Sequence, residues 1–194
     1  LKINTENVIL CFGYLWPNKG YEYVVQAMPK IIAHLKSTCL LLVGPLHPID
    51  GLQYYKKLTM LVRELKLEEH VIVKGRYVPE NQVDVHFSAA SVVVLPYLTA
   101  VGASGILARA FSCRKPVIAS DVGSLGEYLD WGRRGLLVCP ASSEELAAAI
   151  VRLLTDADLR RVMINNIESY ISANNWIEVA RKTHEIYQRA IQQS

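Results

Sequence analysis

Seven residues from Val101 to Leu107, "VGASGIL", set Gly102 and Gly105 around Ser104 where an apolar run ends and a helical pattern begins. Free backbone N–H groups at such a helix start, with the positive end of its dipole, form a site for an anion. Small side chains let a phosphate approach the backbone closely. The candidate cradle runs through Gly102, Ala103, Ser104, Gly105 and Ile106. A tight strand-to-helix turn would use the same glycines with no ligand at all. Lys19 stands between Asn18 and Gly20 at the mouth of the first helical pattern, and Gly13 closes the first apolar run. A lysine there supplies a point charge for a diphosphate oxygen. As a merely solvated side chain it would oppose the helix dipole.

The elements that must position these residues alternate along the chain. Apolar runs at Val8–Phe12, Cys39–Val43, Val71–Val73, Val92–Pro96, Pro116–Ala119 and Gly135–Val138 read as strands. They are continuous in polarity, as strands covered on both faces are. Between them, Val24, Met28, Ile31 and Leu35 recur at helical spacing, with Pro29 expected to kink the helix. Tyr55, Leu58, Leu61 and Leu65 repeat the pattern, and Ser142 with Glu145 predicts a capping box. Two more helices are expected over residues 157–172 and 176–192. This alternation predicts an α/β fold, a doubly wound parallel sheet with right-handed crossovers. Ligands in such sheets sit at the carboxyl ends of the strands. Five glycine-containing loops are expected there: Gly13–Gly20, Gly44–Gly51, Gly75–Asn81, Tyr97–Ser104 and Asp121–Glu127.

Composition narrows the classes. The chain has 194 residues, 51% hydrophobic and 20% charged, the profile of one soluble domain with a full core. A net charge of +3, scattered among acids, argues against a nucleic-acid partner. Cys11, Cys39, Cys113 and Cys139 stand far apart, and those in or beside strand-like runs read as buried free thiols. That usage predicts a reducing, cytoplasmic setting. No apolar run approaches the roughly 20 residues that span a bilayer. The chain opens at Leu1 without methionine, which reads as part of something longer.

Other chemistry is poorly supported. His34, His70, His86 and His184 lack partners at metal-ligand spacing, and His47 reads as an exposed loop residue. Asp156–Asp158, "DAD", follows Thr155 between two helices, where helix capping explains it. No Ser-His-Asp or Cys-His grouping marks a covalent hydrolase. Glu127 reads as a helix-start residue, and Trp131 and Trp176 as packing residues.

Four stretches, in order and spanning essentially the whole chain, resemble the donor-binding half of retaining GT-B glycosyltransferases. They are "CFGYLWPNKGYEYVVQAMPKI", "VIVKGRYVPENQVDVHFSAASVVVLPY", "GILARAFSCRKPVIASDVGSLGEYLDWGRRGLLVCP" and "NNWIEVARKTHEIYQ". The resemblance implies a Rossmann-like half of a GT-B fold that binds a nucleoside-diphosphate sugar, with the N-terminal acceptor-binding domain absent from this chain. It implies no cofactor and no obligatory metal, the leaving diphosphate being stabilised by basic side chains and a helix N-terminus. It also sets the base against Gly75, Arg76, Tyr77 and Val78, and the isolated domain is expected to be inactive.

Four positions depart from the family pattern. Tyr14 and Trp16 stand where its first loop carries an arginine, so Lys19 alone remains of the basic clamp. Val101 and Arg109 stand where it carries two glutamates, one contacting the sugar and one accepting from ribose hydroxyls. A guanidinium has no acceptor. Arg109 either faces the cleft, partly replacing the lost arginine as a donor contact, or faces solvent. Two readings remain beside an active donor domain: a non-catalytic binding or scaffold module of the same fold, and half of a nucleotide-sugar epimerase.

Overall fold

The structure, a computed structural model, describes residues 5–99, 102 and 104–192. Six strands form one sheet: β1 (Asn7–Phe12), β2 (Thr38–Val43), β3 (Val71–Lys74), β4 (Val92–Leu95), β5 (Val117–Ser120) and β6 (Gly135–Val138). Eight α-helices accompany them among the described residues: α1 (Tyr21–His34), α2 (Gly51–Glu64), α3 (Glu80–Ala89), α4 (Gly105–Ser112), α5 (Leu125–Tyr128), α6 (Ser143–Thr155), α7 (Ala157–Ala173) and α8 (Trp176–Gln192). All strand pairs are parallel, in the order β3-β2-β1-β4-β5-β6.

Both faces of the sheet are covered, which is why its strands read as unbroken apolar runs. Ile9, Leu40, Leu42, Val92 and Val94 point to one face, beneath α1, α2 and α6. Their neighbours Leu10, Leu41, Val43, Val93 and Leu95 point to the other, beneath α3 and α4. Met163 and Ile167 carry α7 into both layers. The chain reverses its winding between β1 and β4, the place where such sheets open a crevice at their carboxyl edge.

Local chemistry sets the helix ends. The Ser104 hydroxyl accepts from the Leu107 N–H, and the Asp156 carboxylate from the Leu159 N–H. The capping box is half built: Ser142 accepts from the Glu145 N–H at 3.2 Å, whereas the Glu145 carboxylate accepts from the Cys139 N–H at 2.7 Å. Helix α1 runs unbroken through Pro29. Its start is held by a buried group absent from the sequence expectations. The Tyr54 hydroxyl accepts from the Tyr21 N–H at 2.8 Å and donates to buried Glu22, which also receives the Lys57 ammonium at 2.8 Å.

Several burial expectations need correction. Cys11 and Cys39 are buried, but Cys139 is exposed and Cys113 half-buried, because both lie beyond the ends of their elements. Trp176, expected to pack, is exposed, and Trp131 packs only in part, its ring against Gly126 but its surface largely exposed. Trp131 sits in a left-handed backbone turn and Trp176 opens α8, none of whose described side chains is buried. No helix among the described residues is long and apolar enough to cross a membrane.

Candidate functional site

At the β1–β4 crevice the loops after the two strands are knitted together. The Leu98 N–H donates to the Asn18 carbonyl at 3.0 Å, and the Thr99 hydroxyl to the Asn18 side-chain oxygen at 2.7 Å. Gly20 has a left-handed φ of 63°, and a Cβ there would meet the Pro96 carbonyl oxygen at 2.1 Å. Only glycine allows this approach. Residues Pro17–Lys19 form a single 3-10 turn that ends at Gly20 and feeds α1.

That turn aims Lys19 into the crevice. Its ammonium lies 3.8 Å from the centroid of the Tyr97 ring, close enough for a cation–π contact. Burial pushes its pKa below the usual lysine range. Tyr97 is itself buried, and its hydroxyl has no geometrically sound hydrogen-bond partner among the described residues. Burial raises that phenol to about 12, with the nearby Ser104 hydroxyl acting in the opposite direction. Tyr97 therefore adjoins both Lys19 and the cap of α4. It was missed at the sequence level because it reads there only as the first residue of a loop.

Helix α4 begins at the same place. Ser104 satisfies the Leu107 N–H at 3.3 Å, and its carbonyl accepts from the Ala108 N–H at 3.0 Å. The N–H groups of Gly105 and Ile106, in the first turn, have no intrahelical acceptor. A Cβ on Gly102 or Gly105 would meet no described atom within 4 Å, so internal packing does not demand glycine at either position. Ile106 lies beside Gly13, 3.8 Å from where a Cβ on that glycine would stand. Gly13, Lys19, Ser104, Gly105 and Ile106 are thus gathered at one edge. Ala103 and Val101 lie outside the described residues.

Gly75, Arg76, Tyr77 and Val78 follow β3, two strands away from β1. Gly75 and Arg76 border a cavity of about 450 Å³ with Leu46, Leu52, Tyr55 and Lys74. Arg76, Tyr77 and Val78 border a second of about 180 Å³, closed by Gln82 and buried His86 of α3. Arg109 is neither free in the crevice nor free in solvent. Its guanidinium donates to Asp84 Oδ1 at 3.0 Å and to Glu80, both on α3. The Glu80 hydrogen bond holds its pKa above the ordinary arginine value.

The two family-departing aromatics also find a partner. The loops after β1 and β2 are zipped by the Leu15 N–H to the Pro45 carbonyl at 2.9 Å and the His47 N–H to the Leu15 carbonyl at 3.2 Å. Trp16 stacks on His47 with ring centroids 4.8 Å apart, and Tyr14 meets it edge-on at 6.0 Å. His47 is half-buried, not the exposed loop residue expected. Among the described residues no three His, Cys, Asp or Glu side chains stand together as a metal site.

A model of the family described as glycosyl transferases group 1 matches residues 6–156. An uncharacterized glycosyltransferase of Methanocaldococcus jannaschii is 29% identical over 189 residues, 96% of this chain and 46% of that protein. Sucrose-phosphate synthase of Thermosynechococcus elongatus superimposes with a TM-score of 0.82 at 31% identity, over 100% of this chain and 47% of that one. HepE of Anabaena, solved in complex with UDP, gives a TM-score of 0.82 at 22% identity, over 98% of this chain and 50% of that one. The chain spans about half the length of the curated relatives it matches.

Proposed function

The chain belongs to the glycosyl transferases group 1 family, and from that premise we propose that it is the donor-binding half of a retaining GT-B glycosyltransferase. Its ligand is a nucleoside-diphosphate sugar, and the acceptor is held by a second, N-terminal domain. The diphosphate lies against the first turn of α4 and the Lys19 ammonium, and the base against Gly75–Val78. One observation carries this reading: Lys19 is seated on Tyr97 beside a helix start whose glycine, Gly105, has no described atom within 4 Å of where a Cβ would stand.

The arrangement suits glycosyl transfer. As the bond between the anomeric carbon and the diphosphate oxygen breaks, negative charge grows on the departing diphosphate. The ammonium and the Gly105 and Ile106 N–H groups, fixed beforehand by the fold, stabilise that charge without reorganising. No metal or cofactor is needed for this step as proposed. Anabaena HepE, which shares this fold, was solved in complex with UDP, and that supports a nucleotide as the ligand class.

A second reading, a non-catalytic module of the same fold, is favoured by one observation. Arg109 is occupied by two carboxylates and adds no free cation to the site. Thermal unfolding with UDP, GDP and ADP separates the two, since a ligand that binds only the folded state raises Tm. A rise with at least one diphosphate is expected from a donor domain. No rise at millimolar ligand rejects it.

A further inference from the structure

Between the base and the diphosphate of such a ligand lies the ribose, a diol that offers O–H donors. Resting on the donor-site reading, we infer that Glu80 accepts hydrogen bonds from these ribose hydroxyls and that Arg109 positions it. Glu80 opens α3 immediately after Val78 and Pro79, so its carboxylate stands at the base end of the site. Arg109 follows Gly105 and Ile106 by four and three residues in α4, which puts it on their side of the helix. The bridge between Arg109 and Glu80 therefore joins the base loop to the phosphate helix, and a ligand reaching from one to the other passes it.

The chemistry of the pair fits a diol. A guanidinium only donates, so Arg109 cannot take the hydroxyl protons itself. A carboxylate has about four acceptor positions. Arg109 engages one oxygen of Glu80, no contact among the described residues engages the other, and the side chain is 75% exposed. Asp84 grips the same guanidinium at 3.0 Å, so Arg109 is held from two sides and holds the Glu80 carboxylate in place.

Calorimetry tests the assignment with UDP, GDP and ADP, each compared with its 2′-deoxy and 3′-deoxy counterpart. The wild-type chain binds a ribo form at least about tenfold more tightly than a deoxy form, the scale of one hydrogen bond to a charged group. Glu80→Ala brings that ratio close to one. Arg109→Met lowers it and Arg109→Lys restores part of it, while Asp84→Ala, which removes the same charge but leaves the ribose acceptor in place, lowers it less than Glu80→Ala does. Glu80 and Asp84 are exposed, and unchanged Tm values confirm that the variants fold. A ribose preference that survives Glu80→Ala, or is absent from the wild type, overturns the inference. If no diphosphate binds the wild type, the donor-site reading has failed and takes this inference with it.

Discussion

The Lys19 ammonium rests 3.8 Å above the Tyr97 ring, and burial there depresses its pKa. Because the folded value lies below the unfolded one, the unfolded chain binds more protons in the window just under 10.5. Stability attributable to this group therefore rises with pH through that window. Diphosphate binding runs the other way, since the anion needs the charged amine. Affinity falls as pH climbs through the lowered pKa, and Lys19→Arg removes that dependence because a guanidinium stays protonated. A calorimetric pH series on both proteins reads this, and parallel profiles would count against the contact.

Two glycines at this edge have opposite reasons to be glycine. Gly20 has positive φ, and its Cβ would collide with the Pro96 carbonyl, so Gly20→Ala destabilises by about 1–3 kcal/mol. Gly105 stands in a helical first turn with no described atom within 4 Å of an added Cβ, so Gly105→Ala is neutral or stabilises by up to about 1 kcal/mol. The added methyl nevertheless weakens diphosphate binding if phosphate lies against that backbone. Urea unfolding alongside calorimetry separates the two effects.

Tyr54→Phe deletes a hydroxyl that serves both the Tyr21 N–H and buried Glu22. Each loses a partner in a buried setting, and the expected cost is about 1–3 kcal/mol in urea unfolding. Lys57→Met takes the ammonium, itself 60% exposed, from a carboxylate that is 9% exposed but leaves the Tyr54 hydrogen bond in place, and costs less than Tyr54→Phe. The reverse ranking would mean that the ammonium, not the phenol, holds the start of α1.

None of the described side chains of helix α8 is buried, and Trp176, Ile177, Ile186, Tyr187 and Ile191 are all exposed. Ending the chain after Asn174 should change unfolding free energy by less than about 1 kcal/mol, as for other surface changes. A larger loss would show that α8 is anchored more firmly than its exposure implies.

Much of the fold was legible in the sequence because burial on both faces writes strands as unbroken apolar runs. Each expected strand is present, with β4 stopping at Leu95 before Pro96 and β5 shifted by one residue. What escaped depends on partners distant in sequence. Arg109 is 29 residues from Glu80, Trp16 meets His47 across two loops, and Tyr97 gains its meaning only when Lys19 lands on it. Trp131 and Trp176 misled for another reason. Large aromatics normally pack, but Trp131 lies on a left-handed turn with only part of its ring against Gly126, and Trp176 opens a helix whose described side chains stay out of the core.

The most direct test of the donor site is calorimetry of wild type and Lys19→Ala with a nucleoside diphosphate and with the parent nucleoside. Lys19→Ala should weaken diphosphate binding by about 1.5–3 kcal/mol, the worth of a hydrogen bond to a charged group, and leave nucleoside binding unchanged. Equal diphosphate affinity in the two proteins, with wild-type binding intact, would contradict the placement of the diphosphate at Lys19 and the start of α4.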